Sequence, residues 1–164
     1  MATAKKPVVV NQQRINEKKW SKELISTGWT AVPNVIIEHM HELGLKPIDV
    51  TILMQLTTYW WTAETLPHPA KGTIAKAIGI TPRAVQRRIA EMEAKGLIKR
   101  IERREKGEGS DGSKPNEYDF TGLIEKAKPF AASKATKIAT KMAVKKAKAA
   151  PKGNVVKFPP KKGE

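Results

Sequence analysis

The chain has no cysteine. Disulfide bridges and thiolate metal sites are therefore excluded. Long apolar runs are missing too: none approaches the roughly 20 residues that span a bilayer, so no membrane partner is expected. Val8-Val9-Val10 is too short for the core of a secretory signal, and the chain reads as cytoplasmic. Acidic residues are scarce at one end. From Lys126 to Glu164 there are twelve lysines, no arginine and a single acid, Glu164, for a net charge of +11.

What is present is basic. The 164 residues carry 31 Lys+Arg against 16 Asp+Glu, a formal charge of +15. That imbalance points to a polyanionic partner, nucleic acid before an acidic membrane surface. Everything before Lys126 contributes only +4. The length suits one domain with its own core plus tails.

Periodicity and punctuation divide the chain into three parts. Residues 1–28 read as a leader with a helix over 14–27, where Trp20 and Leu24 share a face. Residues 29–130 read as one domain. It opens with a short strand, Trp29-Thr30-Ala31-Val32, ended by Pro33. A helix capped by Asn34 follows and stops at Gly44. Pro47 suits the first turn of a further helix running from Ile48 to Ala63. That helix is apolar nearly all round, which places it centrally. Its Trp60-Trp61 pair fits the core better than base stacking. Leu66-Pro67-His68-Pro69 is a connection. Residues 131–164, rich in Lys, Ala and Pro, offer too few large apolar groups to offset the entropy of ordering and read as a flexible tail.

The informative stretch begins at Lys71. A short helix through Ile74 and Ile78 ends at Gly79, and Ile80 fills the gap to the next helix. Thr81 caps that helix and Pro82 occupies its first position. Val85, Ile89 and Met92 recur as one buried stripe. At about 100° per residue, Arg83, Gln86, Arg87 and Ala90 fall on the outer side, and Arg88 flanks the stripe. Arg bonds guanine bidentately and Gln bonds adenine in the major groove, while Ala permits close approach. The four outer residues are therefore the candidate base readers. Gly96 ends the helix. Leu97 to Arg104, a Gly-rich loop, and Asn116 to Phe120 read as a basic hairpin. Thr73, Thr81, Arg88, Lys99, Arg100, Arg103, Arg104 and Lys106 are the candidate contacts to DNA phosphates. Lys134, Lys137, Lys141, Lys145, Lys146 and Lys148 are candidates for sequence-independent contact from the tail. The alternative for each of these charged faces is plain solvation.

The run Pro47 to Arg104 resembles the winged helix-turn-helix family of phage and plasmid replication proteins and related bacterial regulators. The resemblance is carried by Thr73 to Thr81, by Ala84-Val85-Gln86-Arg87-Arg88-Ile89 and by Met92 to Ile98. Trp29 to Asn34 further resembles the entry strand and turn of phage replisome organisers, so that residues 29–125 are covered. The tail is similar to histone H1-like bacterial tails in composition alone. The resemblance implies a mainly α fold with a small β-hairpin, a winged helix-turn-helix domain bearing a disordered basic tail, and binding to double-stranded DNA. Three roles stay open: a sequence-specific transcriptional regulator, a replication initiator or organiser, and an architectural nucleoid-type binder. A homodimer and a replication or transcription protein are the other partners left open.

Catalytic readings find little support. Gly107-Glu108-Gly109-Ser110-Asp111-Gly112 matches G-x-G-x-x-G, but a dinucleotide fold needs a helix after the glycines, and a strand follows. His39 and His41, two apart, diverge on a helix. The same holds for Glu91 and Glu93, while His68 lies in the connection. No enzyme activity, metal or cofactor is expected.

Overall fold

The computed structural model describes residues 12–104 and 113–149. Two short helices come first, α1 (Gln12–Trp20) and α2 (Lys22–Ser26). The single helix expected over 14–27 is broken at Ser21, which adopts φ 86° and accepts a long hydrogen bond from Leu24 N at its own Oγ, 3.5 Å. A serine whose hydroxyl competes for backbone N–H groups favours such a cap over a helix interior. Trp29 to Val32 is not a strand: it runs without regular structure.

Helix α3 (Asn34–Glu38) is one turn and a half, with Pro33 in the capping position that the sequence suggested for Asn34. Helix α4 (Pro47–Thr57) starts as expected at Pro47 but ends six residues before Ala63. The hydroxyls of Thr57 and Thr58 donate back to Met54 O and Gln55 O at 2.8 Å each, a pattern that loosens helix ends. The tryptophan pair then splits. Trp60 packs on Phe120 with ring centroids 5.2 Å apart, whereas Trp61 is 82% exposed. Pro67 and Pro69 of the connection are buried, and Pro67 O accepts Tyr118 N at 3.0 Å.

Helices α5 (Lys71–Ile78) and α6 (Pro82–Ala94) follow, then strands β1 (Lys99–Arg104) and β2 (Ser113–Asp119), paired antiparallel with Lys99 opposite Asp119 and a bulge between Ile101 and Arg103. The core lies where α4, α5, α6 and the base of the hairpin meet. It holds Ile52, Leu56, Ile74, Val85, Ile89, Met92, Leu97 and Tyr118. Each fully buried side chain of this kind contributes about 1.5–3 kcal/mol. The mainly α class with one small hairpin agrees with the sequence reading.

Helix α7 (Thr121–Ala149) closes the domain. Asp119 Oδ1 accepts from Thr121 N at 2.8 Å and Thr121 Oγ1 at 2.6 Å, which fixes its start. Leu123 and Ala127 are buried, and Phe130 stacks on His39 at 4.6 Å. Residues 131–149, expected as part of a flexible tail, continue this helix, so the boundary drawn at Phe130 falls inside a continuous element. Alanine and lysine are strong helix formers, and Lys134 Nζ anchors the continuation on Glu38 at 2.5 and 2.6 Å. The glycine-rich motif at 107–112 and residues 150–164 lie outside the described residues.

Candidate nucleic-acid interface

The turn between α5 and α6 is built from local chemistry. Gly79 ends α5 at φ 72°, a left-handed conformation that glycine adopts without a Cβ penalty. Thr81 caps α6 by accepting Ala84 N at Oγ1, 3.2 Å, and Pro82 takes the first helical position. The hydroxyl proton of Thr81 stays available to a phosphate oxygen.

One face of α6 is buried through Val85, Ile89 and Met92. The other exposes Arg83, Gln86, Arg87 and Ala90, which with Thr81 and Ala84 line one open depression. All four residues singled out as base readers are thus brought together. Among the described residues Arg83 and Arg87 form no ion pair, so both guanidinium forks are free. Gln86 Oε1 accepts from Lys71 Nζ at 3.1 Å. Nothing in the local sequence around Lys71 signals this contact; only the fold brings the start of α5 to the α6 face. While Lys71 holds the oxygen, the amide N–H groups of Gln86 are the part offered outward.

Arg88, expected at the phosphates, is instead buried and only 6% exposed. Its Nε and Nη2 donate to Asp49 Oδ1 and Oδ2 at 2.7 and 2.6 Å, and Nη1 donates to Glu91 Oε2 at 2.5 Å. Asp49 is fully buried and also accepts Lys46 N at 2.9 Å. Hydrogen bonding to Asp49 is the main cause that raises the Arg88 pKa above its ordinary value, against the opposing effect of burial. The residue therefore bolts α6 to α4. Its place at the edge of the apolar stripe was the available signal, since an arginine there is as close to the core as to solvent.

The remaining backbone candidates are spread more widely. Thr73 is exposed on α5, and Lys99 is exposed at the base of β1. Arg100 pairs with Glu93 of α6 at 3.5 Å, and its backbone N donates to the same carboxylate at 3.1 Å. Arg103 pairs with Glu117 across the hairpin at 3.4 Å. Both are partly neutralised at the protein surface. The Arg104 side chain and Lys106 lie outside the described residues, as do the side chains of Lys146 and Lys148. Lys134 is paired with Glu38, while Lys137, Lys141 and Lys145 are exposed. Among the described residues no group of three or more His, Asp or Glu is placed to hold a metal ion. No helix among them is long and apolar enough to cross a membrane.

A helix packed by one face (α6), preceded by a short helix and a tight turn and followed by a hairpin, defines a winged helix-turn-helix fold. Residues 43–98 match the family model described as "Helix-turn-helix domain", about a third of the chain. No curated protein matches the chain. Among solved structures it is similar to the N-terminal domain of the DnaD protein from Geobacillus kaustophilus HTA426, with a TM-score of 0.51 and 20% identity, covering 76% of this chain and 98% of that one. A weaker likeness, TM-score 0.38 and 16% identity, links it to the YusO protein of Bacillus subtilis over 85% of this chain and 99% of that one. At 20% identity, what is shared with the DnaD domain is the fold.

Proposed function

We propose that the protein binds double-stranded DNA by seating α6 in the major groove, with Arg83, Gln86, Arg87 and Ala90 reading base edges. One observation carries the reading. The four residues stand together on an exposed face, while the opposite face is locked by core packing and by the Arg88–Asp49 pair. A rigid helix with free donors on its outer side is what direct base readout requires. Thr81 and the hairpin cations Lys99, Arg100 and Arg103 then contact phosphates, which set register rather than sequence. Binding without catalysis accounts for the whole constellation.

A role at a replication site is favoured over transcriptional regulation. The fold likeness to the DnaD domain spans nearly that whole domain. Selection of bound sequences from a random duplex pool tests both levels. Recovery of a defined motif supports base reading, and a cluster of that motif at a replication origin supports the replication role. Recovery of random sequence refutes base reading, and motifs confined to promoters refute the replication role.

A further inference from the structure

Helix α7 changes character along a single face. Its first three turns pack on the domain through Leu123, Ala127 and Phe130. Turning about 100° per residue, Lys134, Lys137, Lys141 and Lys145 continue that same row within an arc of about 80°. The switch from apolar to cationic comes where the helix leaves the body. Lys134 marks the place, since its ammonium still reaches back to Glu38 of α3. Beyond it Lys137, Lys141 and Lys145 are exposed and, among the described residues, unpaired. No acid occurs between Lys126 and Ala149.

We infer that this lysine row is a second contact surface for duplex DNA, engaging the phosphate backbone in addition to the α6 contact; the choice of DNA as the polyanion rests on the reading of α6. Like charges four residues apart repel and weaken a free helix. Lysine there is therefore a cost in isolation, which a polyanion laid along the row removes. Successive lysines stand about 4.5–6 Å apart along the axis, a linear array suited to a linear charged polymer and not to a compact anion. A membrane surface fits less well. An interfacial helix needs a broad apolar face beside its lysines. Here Ile138 and Met142 lie on one side of the row and Val144 on the other, amid alanine and threonine.

The distinguishing feature is the face, not the charge. Exchanging each lysine with an alanine two positions on, as K137A/A139K, K141A/A143K and K145A/A147K together, moves three cations about 200° around the helix. Composition and net charge stay the same. The full chain, this exchanged variant and K137A/K141A/K145A are titrated with salt on a selected duplex and on a scrambled one. Each lysine that displaces a condensed counterion adds about 0.9 to the slope of log affinity against log salt. The exchanged variant is expected to lose roughly 2–3 from that slope, like the triple alanine variant. An exchanged variant that behaves like the parent, while the triple alanine variant loses slope, overturns the proposal and leaves undirected charge. Unchanged slopes in both variants overturn it as well. Co-sedimentation of the parent with anionic but not zwitterionic vesicles would then assign the row to a membrane surface. The ratio of selected to scrambled binding reports on α6 separately: its absence in the parent sinks base reading by α6, whereas the slopes still decide the fate of the lysine row.

Discussion

Arg88 and Asp49 are joined by two parallel hydrogen bonds, 2.7 and 2.6 Å, although they are 39 residues apart in sequence and both are buried. The bidentate pair links α6 to the first turn of α4. Removing Asp49 leaves the buried guanidinium with only the half-exposed Glu91 as counter-ion, at a cost of up to about 3–5 kcal/mol. Asp49→Ala is therefore expected to destabilise the domain by that amount in chemical denaturation, whereas Arg88→Met with Asp49→Leu recovers most of the loss. A stable Asp49→Ala protein would show that core packing alone holds α6.

Gly122 sets how closely α7 approaches the end of α6. A Cβ built there lies 2.2 Å from Gly96 O and 3.1 Å from Gly96 C, both backbone atoms. Alanine ordinarily gains about 1 kcal/mol over glycine inside a helix. Gly122→Ala is expected to reverse that sign and lower the thermal midpoint, because neither backbone can yield cheaply. A raised midpoint would mean that α7 is free to shift outward.

Acid should loosen α7 at its start. The hydrogen bonds from Thr121 hold the Asp119 carboxyl below its ordinary pKa. A depressed folded-state pKa gives stability that is present above the unfolded value and lost as pH falls through the folded one. Helical circular dichroism should therefore decline below about pH 4 in the parent. Asp119→Asn should lack that component of the acid limb. Identical acid limbs would dismiss the cap.

Much of the helix-turn-helix was legible because its signals are local. Gly79, Thr81 and Pro82 mark the turn by their own backbone preferences, and Val85, Ile89 and Met92 mark the buried stripe by spacing alone. What escaped depended on distant partners. Arg88 is indistinguishable from a surface arginine until the fold supplies Asp49. Lys71 gains meaning only when α5 crosses the α6 face. Trp60 and Trp61 are neighbours in sequence, but only Trp60 finds Phe120. Past Phe130 alanine and lysine bury little, so periodicity is silent there; the helix is carried by backbone propensity and by the Lys134–Glu38 tie, which only the fold supplies.

The hairpin arginines should act without regard to sequence. Arg103 spends part of its charge on Glu117 at 3.4 Å. Arg103→Ala is expected to weaken binding to every duplex alike and to lower the salt slope by at most about 0.9. Loss confined to the selected duplex would instead make the hairpin a base reader.

The central claim is that the exposed side of α6 chooses the sequence, and competition binding with Arg87→Ala tests it most directly. Parent and variant are each titrated with a selected duplex against a scrambled one at fixed salt. The account predicts that the variant loses about 1–3 kcal/mol on the selected duplex, roughly five-fold to more than a hundred-fold in affinity. On the scrambled duplex it should lose far less, so the preference collapses. Equal losses on both duplexes would contradict the account, because Arg87 would then be one more cation against the phosphates.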